Sequence, residues 1–281
     1  MISGAESDLD LPSGRVHARL FGSADAPLAL CLPGLSANLT AFDYLSERIA
    51  GDQNQMVAVD LRGRGKSEVT GSGSYGWNNH ARDVFAIADT LRCRKFTIIG
   101  QSMGAAVAME AAAQDAGRVE RIVLLDACGK PDDASMVAIR TVVNRLGQVF
   151  PSTEDYIEAM KATGLVDPWS EYWDRYFQYE LEPVEGGIRA RSNRDAVLED
   201  LDYIESHETY PLWPYLTMPV LLLRATREIL PGLGRIVSDE DRQRFPLDVP
   251  TATVVDIEAN HYTVNTSEES VSAIRSFLGV G

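Results

Sequence analysis

Cysteine is scarce in this chain: Cys31, Cys93 and Cys128 are the only three in 281 residues. They are odd in number and form no Cys-x-x-Cys pair, so neither a disulfide framework nor a zinc site is expected. They read as buried, reduced thiols of a cytoplasmic protein. Basic residues are also short, with 26 Lys and Arg against 41 Asp and Glu for a net charge of −15. That balance argues against nucleic acid or an anionic membrane surface as partner. No apolar run approaches the ~20 residues of a membrane-spanning helix. The start, Met1-Ile2-Ser3-Gly4-Ala5-Glu6-Ser7-Asp8, is acidic with no apolar core region, and no signal peptide is expected there. Internal repeats and low-complexity tracts are absent as well. What is present is 45% hydrophobic residues, enough for a full core. The length suits one α/β domain carrying an insertion better than two independent domains.

The hydrophobic pattern supplies an order of elements. Residues 14–22 alternate as a half-buried strand does, and residues 28–32 (Leu-Ala-Leu-Cys-Leu) form a continuous apolar run suited to a strand covered on both faces. The loop Pro33-Gly34-Leu35-Ser36-Ala37-Asn38 follows, and Asn38 or Thr40 could cap the amphipathic segment ending at Ile49. Residues 56–59 make the next buried strand, 71–79 a polar loop, and 83–91 a helix. Two more strands are expected at 96–99 and 121–125, with an alanine-rich helix from 105 to 113 between them. Strands alternating with helices imply a mostly parallel sheet wrapped on both faces.

The rhythm then breaks. From 130 to 214 no buried-strand run occurs, only helical patterns, beginning one of them with the capping pair Ser152 and Asp155. We read 130–214 as a helical cap inserted after the sixth strand, with 1–129 and 215–281 forming the core. The sheet resumes at 218–224 and 252–257, and a helix at 267–278 closes the chain.

Chemistry centres on Gly100-Gln101-Ser102-Met103-Gly104, which joins an apolar β-branched run to the alanine-rich helix. Strand, sharp turn with serine at its apex, then helix is what a nucleophile elbow requires, and glycines two residues either side leave room for it. A serine hydroxyl needs a base within hydrogen-bond reach and a third group to orient that base. Of His17, His80, His207 and His261, the last sits in the loop after the final strand, at the sheet edge where Ser102 emerges. Two backbone N–H groups should stabilise an oxyanion: that of Met103, after the nucleophile, and that of Leu35, where Gly34 lets the chain pass close. For the acid, Asp126 and Glu228 both follow strands at the same edge. Asp126 is preferred because it is short and rigidly placed, whereas Glu228 lies near Arg224 and Arg227.

The elbow, Pro33-Gly34-Leu35, Asp60-Leu61-Arg62-Gly63-Arg64-Gly65-Lys66-Ser67 and Asn260-His261-Tyr262 together resemble the α/β-hydrolase superfamily across nearly the whole chain. Within it, Pro183-Val184-Glu185-Gly186-Gly187-Ile188-Arg189 and Asn260-His261-Tyr262 resemble small bacterial esterases and (acetamidomethylene)succinate-type hydrolases. The resemblance implies the α/β-hydrolase fold, a serine nucleophile at Ser102, a base at His261 and the oxyanion roles above. That branch takes its acid after the strand Asp126 ends, and the wider superfamily after the strand preceding Glu228. Gln101 and Pro33 stand where many members have histidine, which alters the pocket floor.

The expected function is hydrolysis of a carboxylic ester or lactone through an acyl-Ser102 intermediate. Its alternatives are amide or C–C hydrolysis with the same triad, or a cofactor-free oxygenation using His261 as base. The partner is a small-molecule substrate, with no cofactor and no metal; no oligomeric state follows from the residues. Gly34, Gln101, Trp169, Trp173, Tyr176 and Tyr262 are the expected pocket residues. Residues 150–210 hold 15 acidic against five basic side chains, which hints against polyanionic substrates. A carboxylate oxygen within about 2.6–3.2 Å of His261 Nδ1 would distinguish the two candidate acids.

Overall fold

The computed structural model describes residues 4–280; residues 1–3, the start of the segment searched for a signal peptide, lie outside the described residues. An antiparallel hairpin of β1 (Ala5–Leu11) and β2 (Gly14–Phe21) begins the chain. β1 escaped the sequence reading because only Leu9 and Leu11 of its seven residues are buried. Then come β3 (Leu28–Leu32), α1 (Asp43–Ile49), β4 (Gln55–Val59) and α2 (Trp77–Thr90). α2 starts earlier than the expected residue 83, directly after Gly76, whose φ of 95° ends the preceding loop. β5 (Phe96–Gln101), α3 (Met103–Asp115) and β6 (Val119–Leu125) complete the first half.

The segment from 130 to 214 gives no strand to the main sheet. It comprises α4 (Asp133–Val143), α5 (Thr153–Ala162), α6 (Glu171–Glu180), a hairpin of β7 (Leu181–Val184) and β8 (Gly187–Ala190), and α7 (Arg194–Ser206). The hairpin corrects the expectation of helices alone. Glu185-Gly186 makes a two-residue turn, with φ of 87° at Gly186 and 148° at Gly187, values that suit glycine. Ser152 does cap α5, its Oγ accepting from Asp155 N–H at 3.1 Å. The chain closes through β9 (Val220–Ala225), α8 (Asp239–Asp248), β10 (Ala252–Ile257) and α9 (Glu268–Leu278). α8 was missed: Pro246 lies inside it and it has little apolar periodicity.

The eight strands run in the order β1-β2-β4-β3-β5-β6-β9-β10. β2 pairs antiparallel with both its neighbours, and every other pairing is parallel. Alternate residues of the central strands face opposite sides. Leu28, Leu30 and Leu32 of β3 join the core under α2 and α3, while Ala29 and Cys31 join the core under α1 and α9. Both faces are therefore covered, which is why these strands read as unbroken apolar runs. All three cysteines are free; Cys31 and Cys128 are buried and Cys93 is half-buried.

A buried ionic cluster fastens the 130–214 segment to the sheet domain. Asp200 of α7 lies 2.6 Å from Arg64 Nη2 and 2.9 Å from His80 Nε2, and it accepts from Gly76 N–H at 2.6 Å. Burial alone would raise the Asp200 carboxyl, but the Arg64 guanidinium and His80 more than reverse this and hold it well below the usual range. A carboxyl so depressed adds stability that is complete above its unfolded value, near pH 4, and is lost as acid protonates the folded form. Asp200→Asn, which strands Arg64, should lower the unfolding free energy by roughly 3 kcal/mol. Urea unfolding followed from neutral to acid pH should also show a weaker acid-dependent loss below about pH 4 in the variant than in the parent. A change under about 1 kcal/mol would mean the cluster does not fasten the segment.

Candidate active site

Ser102 occupies the turn between β5 and α3 with φ 56° and ψ −120°, a backbone conformation costly for any residue but glycine. The turn is held from two sides. Ser102 N–H donates to Leu125 O at 3.1 Å, and a Cβ at Gly100 would collide with the backbone oxygen of Gly104. One at Gly104 would collide with Leu32 O, so both glycines are demanded by the crossing of α3 over β5 and β3.

His261 follows β10 in a loop built around Asn260. The Asn260 side-chain oxygen accepts from the N–H groups of Tyr262 and Thr263 at 3.1 and 2.9 Å, and its amide donates to Leu165 O at 2.9 Å. His261 is buried, and its Nδ1 lies 2.9 Å from Asp126 Oδ2. Asp126, immediately after β6, is 1% exposed and takes φ 51°. Its other oxygen accepts from Ala225 N–H, at the end of β9, at 2.9 Å. An ionised carboxylate can only accept, so Nδ1 carries the proton and Nε2 presents a lone pair. Gln101 Nε2 stands 3.4 Å from that Nε2 and also donates to His261 O at 3.3 Å.

Glu228 is not brought to His261. It is exposed, and its carboxylate accepts from Gly232 N–H at 2.8 Å, closing its own loop. Of the remaining histidines, His17 is bound to Asp8 and His80 to Asp200, while His207 borders the same cavity stacked on Tyr203.

Ser102 and His261 border one cavity of about 1100 Å³, its open mouth included. Gly34, Leu35, Gln101, Met103, Tyr176 and Tyr262 share its wall. The N–H groups of Leu35 and Met103 have no hydrogen-bond partner among the described residues. Trp169 and Trp173 are not on the wall. α6 turns Tyr176 and Phe177 toward the cavity, and the two tryptophans pack behind them. Trp169 stacks on Phe177 at 5.4 Å and Trp173 meets Tyr176 edge-on at 5.3 Å. Burial pushes the Tyr262 phenol up to about 12 and Tyr176 well above its usual value, so both stay protonated. Among the described residues no group of three or more His, Cys, Asp or Glu could hold a metal ion, and no helix is long and apolar enough to cross a membrane.

Arg145, just beyond α4, also borders the cavity, paired with Glu180 at the end of α6. Sequence reasoning missed both. Arg145 reads as an exposed charge, and only the fold brings a residue 35 positions away beside it.

The model of a family described as alpha/beta hydrolase fold matches residues 27–263. The 2-(acetamidomethylene)succinate hydrolase of Mesorhizobium japonicum is 26% identical over 266 residues, 94% of this chain and 92% of that protein. The N-formylmaleamate deformylase of Pseudomonas putida is 34% identical over 112 residues, 40% of this chain and 41% of the relative. The crystal structure of E-2-(acetamidomethylene)succinate hydrolase superposes with a TM-score of 0.88 at 24% identity, covering 98% of this chain and 99% of that one. At that identity it bears on the fold.

Gly34 offers a test of the site's tightness. A Cβ there would lie 2.6 Å from Gln101 Oε1 and 3.2 Å from Ser102 Cβ. Displacing a positioned group by about 1 Å can cost on the order of 100-fold in rate. Gly34→Ala should therefore slow modification of Ser102 by a fluorophosphonate at least ~10-fold. Gly71→Ala, with open space around it, should react like the parent. Equal rates for all three proteins would show that the 33–36 loop does not shape the site.

Proposed function

The chain belongs to the alpha/beta hydrolase fold family, and we propose that it is a serine hydrolase that cleaves a carboxylic ester or lactone through an acyl-Ser102 intermediate. The observation that carries this reading is the wall shared by Ser102, on its strained turn, and His261, whose Nδ1 is bound to the buried Asp126 carboxylate at 2.9 Å. His261 Nε2 takes the Ser102 proton as Oγ attacks the substrate carbonyl, whose C=O electron pair moves onto oxygen. The unpartnered N–H groups of Leu35 and Met103 receive that negative charge. When the tetrahedral species collapses, the C–O bond to the alcohol breaks and His261 gives the departing oxygen its proton. A water, deprotonated by His261, then attacks the acyl carbon and releases Ser102. Asp126 stabilises the imidazolium in both halves and fixes its tautomer. The 130–214 segment serves as a cap that supplies Tyr176, Phe177 and Met160 to an apolar substrate wall.

Amide cleavage with the same residues is the second reading. What favours it is that two relatives are named for an acetamido compound and for removal of an N-formyl group. Turnover of matched p-nitrophenyl esters, lactones and anilides decides between them; an anilide turned over faster than its ester would reverse the order.

Ser102→Ala should abolish turnover by a factor on the order of 10⁴ or more while the protein stays folded. Retention of over a tenth of activity, under ~1.4 kcal/mol of barrier, would exclude the covalent route. Asp126→Asn should lose on the order of 10³–10⁴-fold in kcat, and Glu228→Gln should stay within a few-fold of the parent. Steady-state kinetics showing the reverse pattern would move the acid to Glu228.

A further inference from the structure

Two basic side chains besides the histidines border the cavity, and each faces a carboxylate. Lys130 lies at an exposed stretch, 3.2 Å from Glu208. Arg145 is deep, with its side chain 10% exposed, and all three of its guanidinium nitrogens are engaged. Nε donates to Tyr156 Oη at 3.1 Å; Nη1 donates to Val142 O at 2.7 Å and to Ser36 Oγ at 3.3 Å; Nη2 donates to Glu180. Glu180 is 1% exposed, and its second oxygen is buried with no hydrogen-bond partner among the described residues. Burial works against the Arg145 charge, but Glu180 together with the surrounding Tyr156, Tyr176 and Tyr262 more than offsets it and keeps the guanidinium above its ordinary value. Much of the remaining wall is aliphatic or aromatic, including Leu35, Val142, Met160, Leu165 and Phe177.

An unpaired arginine in such a wall would draw an anion, since a lone charge out of water is costly. Here that demand is met internally. We propose that Glu180 determines specificity: by neutralising Arg145 it makes the cavity a site for uncharged, apolar substrate groups and sets it against substrates bearing a carboxylate. A substrate carboxylate would have to displace Glu180 from Arg145, leaving one of two anions buried and unpaired. This deepens the serine-hydrolase reading and rests on it for its kinetic test.

The test compares p-nitrophenyl 4-methylpentanoate with mono-p-nitrophenyl succinate, near-isosteres that differ in a terminal isopropyl or carboxylate group. The parent should favour the neutral ester by about tenfold or more in kcat/KM, and Glu180→Gln should shrink that ratio by at least about tenfold. A parent that takes the succinate ester equally well overturns the proposal, as does a folded Glu180→Gln variant with an unchanged ratio. Should Glu180→Gln not fold, Arg145→Gln decides: it leaves no guanidinium to hold a substrate carboxylate, so the ratio must not fall, and a drop of about tenfold toward the succinate ester overturns the proposal. A binding arm needs no catalysis. On a Ser102→Ala background, calorimetry should find monomethyl succinate bound about tenfold tighter when Glu180→Gln is added. No gain there overturns the charge assignment. Absent ester turnover and absent fluorophosphonate labelling of Ser102 would instead defeat the hydrolase reading, while the binding arm still decides the role of Glu180.

Discussion

The close crossing of one helix over two strands is the constraint from which the rest of this site follows. α3 must begin so near β5 and β3 that no side chain fits at Gly100 or Gly104. That proximity drives Ser102 into its positive-φ conformation, because the chain has one residue in which to turn from strand to helix. The same crossing leaves Met103 N–H at the free end of α3, where the helix has no acceptor for it. The nucleophile and the oxyanion donor of the proposed mechanism would thus arise from one backbone event. The parallel sheet beneath brings Asp126 and the His261 loop to that edge, since β6 and β10 end there.

The strained turn is stable because its surroundings determine it fully. α3 is buried along most of its length, and β5 is buried at every position between β3 and β6. Strain of order 1–3 kcal/mol at one residue is small beside the burial of such elements. The 130–214 segment is joined to this frame more by polar contacts than by strand pairing. Besides the Asp200 cluster, Tyr172 donates to Thr40 O and Tyr179 to Asp60, each at 2.6 Å. Such contacts fix direction as well as proximity, because a buried donor without its acceptor is expensive.

Much of the frame could be read from the sequence, and for a definite reason. Strands covered on both faces must be apolar throughout, so β3, β4, β5, β6 and β9 announced themselves. The turn at Ser102 was legible because a strand–glycine–serine–glycine–helix sequence has few other physical readings, and the place of His261 because it follows the last strand at the same edge. The misses share a different cause. β1 is an edge strand with polar residues outward, and the β7–β8 hairpin depends on two glycines more than on apolar alternation. The preference for Asp126 over Glu228 rested on its short, rigidly placed side chain, because both residues follow strands at one edge; in the structure Asp126 lies 2.9 Å from His261 Nδ1 while Glu228 accepts from Gly232 N–H. Trp169 and Trp173 had the right spacing for a wall, but spacing alone does not say which strip of α6 faces the cavity. The pairing of Arg145 with Glu180 is long-range and left no local trace.

The Asp126 carboxylate is anchored by Ala225 N–H, the last residue of β9, and not by anything in the loop beyond it. That loop nevertheless reaches the cavity through Ile229 and Ile236. The two jobs that a strand-end loop often combines, holding a charged group and shaping a wall, are here divided between the end of one strand and the connection after another. Exchange or lengthening of residues 226–237 would remodel the chamber while the histidine's partner stayed moored to the sheet. This fold therefore carries a natural grafting point, where selectivity can be rebuilt without reassembling the machinery.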